Sequence, residues 1–433
     1  MSKRWPKNRP VIVSCASLTS YHPFAPQLVE RTAPERKEVS QALRLPLGSR
    51  SIYRETPATS FVLGSADRLA DTDIGVEPLT NINNKAFLLE ITVPTPPLNL
   101  ANIEKAAHLI DPAFLHSPQY EDATLNDALG QRVLVKIETA NPIRSFKGRG
   151  ADFLARSLDP KQEIVCASAG NFGQAMAYVG RSRRILVQVF VANDVNPAKA
   201  ERMRSLGAKV TLCDGDFDVA KLNARQLAAD HPECIFVEDG AEDAITEGAG
   251  TIGVELLAAG NIDTVVVPLG DGALITGVAA WIKDRSPGTQ IIGVCPEATP
   301  AMLHAWRAAR GMSPVPGAPE PSSAVRGGRS LAWADMNQLT HTIADGIEVR
   351  VPVQKSVEKM KNLVDEIVLV DDDALIEAMR LSTSALGLVL EPSGAAGLAA
   401  IRSHDLPGER LATILTGSNI RPQMLAKLVD SAR

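Results

Sequence analysis

The run Asn141-Pro142-Ile143-Arg144-Ser145-Phe146-Lys147-Gly148-Arg149-Gly150-Ala151 decides the reading of this chain, because it sets one lysine in the turn between a strand and a helix. Upstream, Arg132-Val133-Leu134-Val135-Lys136-Ile137 is rich in β-branched and apolar residues and reads as a strand. Pro142 keeps Asn141 out of the helical region. From Ala151 the apolar spacing turns helical through Phe153, Leu154 and Ala155. A lysine held this way can form an imine with a carbonyl compound. Taken alone it reads first as a solvated lysine at a helix start, and the rest of the chain has to decide.

Outward from this turn the chain alternates. Strands are expected at 132–137, 163–167, 184–191, 209–213, 234–237, 264–268 and 291–295. Helices are expected at 103–110, after Lys147, after Gly173, and at 197–206, 219–229, 249–258 and 273–283, with a last α/β portion over 342–419. Apolar strands alternating with helices imply parallel sheets covered on both faces. The expected class is α/β, with two doubly wound domains of mostly parallel sheet. One domain would comprise 96–160 and 247–433, and a smaller one 161–246. Residues 1–95 lack a sustained period and read as an irregular extension, dispensable for folding. Residues 311–322 read as a Pro-rich loop.

Composition is that of an ordinary globular protein: 433 residues, 45% apolar and 22% charged, with a formal net charge of -5. An acidic balance with 4% aromatic residues and no basic stripe gives no footprint for nucleic acid. Cys15, Cys166, Cys213, Cys234 and Cys295 show neither metal-ligand nor disulfide spacing and read as reduced thiols of a cytoplasmic protein. No apolar run reaches the 18 or so residues of a membrane span, and the start lacks a secretory signal.

Three further strand-to-helix turns carry unusual residues, and in open α/β sheets ligands bind at the carboxyl ends of strands. Ser168-Ala169-Gly170-Asn171 follows the 163–167 strand. Its small residues let the backbone approach a ligand, and the helix start offers N–H groups to an anion such as a carboxylate. Gly270-Asp271-Gly272-Ala273-Leu274 follows the 264–268 strand and has the form of a phosphate cradle. It is not a dinucleotide fingerprint, since residue 275 is isoleucine, nor a P-loop. Thr416-Gly417-Ser418-Asn419 ends a buried strand in hydroxyls. Each turn by itself reads equally as a plain structural turn.

In this order the segments resemble the pyridoxal-phosphate enzymes of the tryptophan-synthase β-subunit fold, and among them threonine ammonia-lyases (threonine dehydratases). The resemblance spans roughly 100–420. It takes in the Asn-Pro-x-x-Ser-Phe-Lys-x-Arg-Gly-Ala run, 168–171, 270–274, Thr342-Ile343-Ala344-Asp345-Gly346, Glu391-Pro392-Ser393-Gly394-Ala395-Ala396 and 416–419. It implies pyridoxal 5'-phosphate lying between the two domains. Lys147 would hold it as a Schiff base and later act on the α-proton, and Phe146 would pack on its ring. Asn171 would bond its phenolic oxygen. Gly270, Asp271, Gly272, Ala273 and Leu274 would hold its phosphate, and Thr416 would face its ring nitrogen. Ser168, Ala169, Gly170 and Asn171 would receive the substrate carboxylate. A neutral hydroxyl at the ring nitrogen makes a weak electron sink, which favours prompt loss of a β-substituent. The implied reaction is β-elimination from a β-hydroxy amino acid such as L-threonine or L-serine, giving a 2-oxo acid and ammonia.

Some positions depart from the family pattern. The phosphate turn is usually four glycines. A carboxylate at residue 271 about 6 Å from a phosphate would cost roughly 3 kcal/mol per unit charge at an effective dielectric near 20, so Asp271 is expected to point away. Arg144 stands for a common glycine and Phe172 for a common histidine. Cys295 falls where several relatives carry a metal-binding glutamate, so no metal is expected. Alanine at 169, where racemase relatives have serine, speaks against racemisation. Threonine synthase-like replacement chemistry, amino-acid racemisation and non-catalytic cofactor binding stand as alternatives. The expected partner is a small-molecule amino acid, with homo-oligomerisation open and neither nucleic acid nor membrane. No amino-acid-sensing domain is expected after Asn419.

Overall fold

Two sheets, one mostly and one wholly parallel, organise the described residues. The computed structural model describes residues 98–193, 195, 197–313 and 341–430. The expected extension at 1–95 and most of the Pro-rich loop at 311–322 lie outside the described residues.

The larger sheet has six strands in the order β1-β2-β10-β7-β8-β9, where β1 is Gln119–Glu121, β2 Arg132–Ile137, β7 Thr264–Pro268, β8 Gln290–Pro296, β9 Glu366–Val370 and β10 Arg410–Leu415. All its pairs are parallel except β1 with β2. The second sheet, order β5-β4-β3-β6, is wholly parallel: β3 Glu163–Ala167, β4 Val187–Ala192, β5 Lys209–Cys213 and β6 Cys234–Phe236. The α/β class with mostly parallel sheets is thus the one observed. Its cause is visible in the strands. Val265, Val266 and Val267 are fully buried, as are Leu411, Ala412 and Ile414, which is how strands covered on both faces read.

Helix boundaries moved more than strand boundaries. The helix expected at 249–258 begins earlier, as α7 Asp243–Leu257. Its first turns look loop-like in sequence because they carry Thr246, Glu247 and Gly248. Glu247 is satisfied by Asn102, whose Nδ2 donates to both carboxylate oxygens at 3.0 and 3.1 Å. Gly248 is there for close approach: a Cβ would sit 2.7 Å from the Arg149 carbonyl oxygen. The strand expected at 184–191 begins only at Val187, because Arg184 adopts a left-handed φ of 61° that ends α4, Asn171–Arg183.

One buried charge cluster ties the larger sheet to the lysine turn. Arg149, on α3 (Lys147–Ala155), is fully buried. Its guanidinium donates to both oxygens of buried Glu138, at 2.9 and 2.8 Å, and to both of Glu255, at 2.7 and 2.9 Å. Thr251 Oγ1 accepts a fifth bond at 3.0 Å. Lys136, 1% exposed, pairs with Glu255 at 2.5 Å. Burial would raise the Glu255 pKa, but Arg149 and then Lys136 overcome this and hold it at about 2.

Candidate active site

The four turns singled out in the sequence meet at one cavity of about 710 Å3. Phe146, Lys147, Ser168, Ala169, Gly170, Asn171, Gly270, Asp271, Gly272, Ala273, Leu274 and Thr416 all line it.

Local hydrogen bonds shape the lysine turn. Asn141 Nδ2 donates to the carbonyls of Glu138 (2.8 Å) and Ser145 (3.0 Å), and its Oδ1 accepts from Ile143 N (3.1 Å). Arg144 sits in the left-handed region at φ 56°, which explains why a glycine is at home there. The turn is joined to the end of β10 by Phe146 N to Thr416 O (3.1 Å) and Ser418 N to Arg144 O (3.0 Å). Lys147 therefore opens α3 at the edge of the cavity. Its ammonium pairs with Asp239 and lies 4.7 Å from the centre of the Phe146 ring.

Across the cavity, Asn171 opens α4. Ser168 Oγ accepts from Gly170 N (3.3 Å) and Gly173 N (2.9 Å), holding the loop that precedes this helix. The third wall is the start of α8, Ala273–Arg285, whose N-cap Gly272 has φ 89°. A Cβ on Gly272 would come within 2.2 Å of Ser356 Oγ. That hydroxyl donates to Asp271 O at 2.6 Å, so the turn is pinned from behind. The first N–H groups of a helix lack intrahelical acceptors and favour an anion. Thr416, 5% exposed, makes only a long bond of 3.3 Å to Ser393 O, which leaves its hydroxyl able to turn to a ring nitrogen.

Asp271 does more than the sequence expectation allowed. It lines the cavity, and burial together with the neighbouring Asp239 charge pushes its pKa up to about 7, against the pull of Lys147 and Lys221. Protonation is a second way to relieve the repulsion anticipated beside a phosphate.

Several cavity residues had no role in the sequence reading, although Asp345 and Glu391 lie in runs it quoted. Asp239 lies just beyond β6, at the carboxyl end of a strand, and that placement was its only signal. Lys199, 8% exposed, bonds Asp345 at 2.6 Å, and Arg421 reaches the same carboxylate at 3.0 Å. Burial would raise the Asp345 pKa, but Lys199 and Arg421 keep it below the usual range. Glu391 is buried and accepts from Asn171 Nδ2 at 2.5 Å. Burial, aided by Asp345, pushes its pKa up to about 7 against Lys199 and Asn171. Cys295 packs as an inert thiol, with its pKa pushed to about 12 by burial.

A lysine at a helix start, a pinned helix start for a phosphate, an amide and a hydroxyl around one cavity suit pyridoxal phosphate in each donor. The sequence profile described as "Pyridoxal-phosphate dependent enzyme" matches residues 111–417, and the chain belongs to that family. Its cofactor is pyridoxal 5'-phosphate. Within the family it is similar to the L-threonine ammonia-lyase of Thermotoga maritima, 28% identical over 338 residues, which cover 77% of this chain and 78% of that enzyme. It is also similar to the catabolic L-threonine dehydratase of Staphylococcus aureus, 29% identical over 75% of this chain and 89% of that enzyme. Among solved structures it superposes on the threonine deaminase of T.th. with a TM-score of 0.65 and 29% identity, covering 75% of this chain and 99% of that one. Among the described residues no helix is long and apolar enough to cross a membrane.

Proposed function

We propose that this enzyme converts a β-hydroxy amino acid such as L-threonine or L-serine to a 2-oxo acid and ammonia. The observation that carries the reading is the convergence of Lys147, Asn171, Thr416 and the start of α8 on one cavity. Bound there, pyridoxal phosphate supplies an electron sink that acidifies the α-proton.

The residues of the chain do the rest. Lys147 would hold the cofactor and would supply the amine that takes the α-proton. Asp239, paired with that lysine, holds the resulting ammonium charge. Residues 270–274 would bind the phosphate through backbone N–H groups, Phe146 would pack on the ring, Thr416 would serve the ring nitrogen and Asn171 would donate to the phenolic oxygen. Residues 168–171 orient the substrate carboxylate. Loss of the α-proton and of the β-hydroxyl releases one water. Hydrolysis of the unsaturated amine consumes one, so the net products are the 2-oxo acid and ammonia. Ala169 offers no proton to the opposite face of the α-carbon, which favours elimination over racemisation.

In this reading the residues of the six-stranded sheet, 96–160 and 247–433, form the cofactor-holding domain, and 161–246 form the substrate-side domain. Lys147, 270–274 and Thr416 belong to the first, while 168–171 follow β3 of the second. The cysteines Cys166, Cys213, Cys234 and Cys295 are free thiols, as suits an enzyme of the cytoplasm.

Borohydride should fix the cofactor to Lys147, and L-threonine should give 2-oxobutyrate and L-serine pyruvate. Lys147→Ala should lose both properties. D-serine forming from L-serine as fast as pyruvate, or normal turnover by Lys147→Ala, would overturn the reading.

A further inference from the structure

The side-chain amide of Asn171 can face the cofactor with either its oxygen or its nitrogen, and only the nitrogen can donate to a phenolic oxygen. Two neighbours remove the ambiguity. Asn419 Nδ2 lies 2.9 Å from the Ile143 carbonyl oxygen. A carbonyl only accepts, so that end of Asn419 is its NH2 group. The same Nδ2 lies 2.7 Å from Asn171 Oδ1, which must therefore be the acceptor. The Asn171 nitrogen is then forced to the other side, where it donates to Glu391 Oε1 at 2.5 Å. One hydrogen of this NH2 is used by Glu391 and the second is available to the cavity that Asn171 lines.

The chain also guards this arrangement sterically. Glu391 is 2% exposed, and its own N–H donates to Gly417 O at 3.1 Å. A Cβ on Gly417 would fall 1.9 Å from Glu391 Oε1 and 3.0 Å from Asn171 Nδ2. Glycine at 417 is what lets the carboxylate and the amide meet.

We propose that Glu391 and Asn419 are positioning residues that fix the amide of Asn171 with its NH2 toward the phenolic oxygen of the cofactor. The inference rests on the reading of Asn171 as that oxygen's partner. The chain of donors and acceptors runs from the backbone at Ile143, through Asn419 and Asn171, to Glu391. Breaking either end should change the electronics of the bound cofactor, and not only the stability of the protein.

The test uses the full-length holoenzyme and two readouts besides turnover: the pH midpoint of the visible band of bound pyridoxal phosphate, and its dissociation constant on reconstitution. Asn419→Asp replaces a donor by an acceptor at nearly equal volume, so Asn171 must turn its nitrogen toward residue 419 and its oxygen toward the cofactor. A phenolic oxygen deprived of its donor holds a proton more tightly. The midpoint should rise and the dissociation constant should increase roughly tenfold, the factor an ordinary net hydrogen bond carries. Glu391→Gln keeps an acceptor and should stay near the unmodified values, whereas Glu391→Met leaves the amide held by Asn419 alone and should move both readouts in the direction of Asn419→Asp, by less. If Asn419→Asp fails to fold, the two Glu391 variants decide. Asn171→Ala separates the two levels of the argument. If it moves the midpoint while Asn419→Asp and Glu391→Met leave it unchanged, the positioning inference is wrong and the role of Asn171 stands. If Asn171→Ala itself changes nothing, both fall.

Discussion

Replacing Arg149 by leucine is the sharpest test of how the lysine turn is held. The substitution removes two hydrogen bonds to Glu138, two to Glu255, one to Thr251 and a longer one to Ser117. It leaves the fully buried Glu138 carboxyl with Ser117 as its remaining side-chain partner at 2.5 Å. Stripping one partner from a buried ionic cluster costs about 3–5 kcal/mol. A second route gives a similar size. Glu255 sits at about 2 against an ordinary 4.5, a difference worth about 3 kcal/mol of stability at neutral pH. The sign follows from the direction. A depressed carboxylate pKa contributes stability above pH 4.5, and that contribution is lost as pH falls through about 2. Without Arg149, only Lys136 and the His116 N–H hold the Glu255 carboxylate, so acid loss should begin at higher pH. Urea unfolding followed through the buried Trp281 and Trp306 should show the full loss at pH 7 and a smaller one below pH 4. Arg149→Lys should fall between, since an ammonium cannot fork to two carboxylates. Because Arg149 is two residues from Lys147, cofactor retention should fall too. A loss below about 1 kcal/mol at pH 7 would refute the reasoning, because a cluster that cheap to break could not anchor the turn.

Three other outcomes are expected. Gly417→Ala drives a methyl to 1.9 Å from Glu391 Oε1 and should weaken pyridoxal phosphate binding at least tenfold, as followed by fluorescence titration; unchanged affinity would contradict the packing described. Arg144→Gly should be close to neutral in thermal unfolding. Relief of a left-handed φ of 56°, worth about 1–2 kcal/mol, is offset by the greater freedom of an unfolded glycine, and a loss above about 2 kcal/mol would show that the arginine side chain matters. Asp271 is neutral below its pKa of about 7 and charged above it, so cofactor affinity in the unmodified enzyme should fall as pH rises from 6.5 to 8 more steeply than in Asp271→Asn; parallel profiles would place its carboxylate out of reach of the phosphate.

The strands of this fold were legible because buried parallel strands are nearly continuous apolar runs, and 132–137, 163–167, 209–213 and 264–268 fall where the sequence puts them. Helix starts were less so, because glycines and buried acids such as Glu247 look like breakers until a distant partner satisfies them. Short elements like Gln119–Glu121 carry too few residues for a period to show. Lys147, Asn171, 270–274 and Thr416 were legible because each lies in a small-residue turn directly after an apolar strand. Asp239, Lys199, Arg421 and the positioning of Asn171 by Asn419 depend on residues far apart in the chain. Nothing local distinguishes a lysine that will meet Asp345 from any other lysine on a helix.

The place of β10 has a consequence for how the protein is made. This strand lies in the interior of the larger sheet, between β2 and β7, yet it is the last strand among the described residues to leave the ribosome. β7 ends at Pro268 and β10 begins at Arg410. At the roughly 5–20 residues per second of translation, the nascent chain waits on the order of ten seconds with its sheet divided and two apolar strand edges facing an empty slot. Only when Arg410–Leu415 is threaded into that slot do Thr416 and the lysine turn come together. The cofactor therefore has no complete seat on the growing chain until β10 has been made.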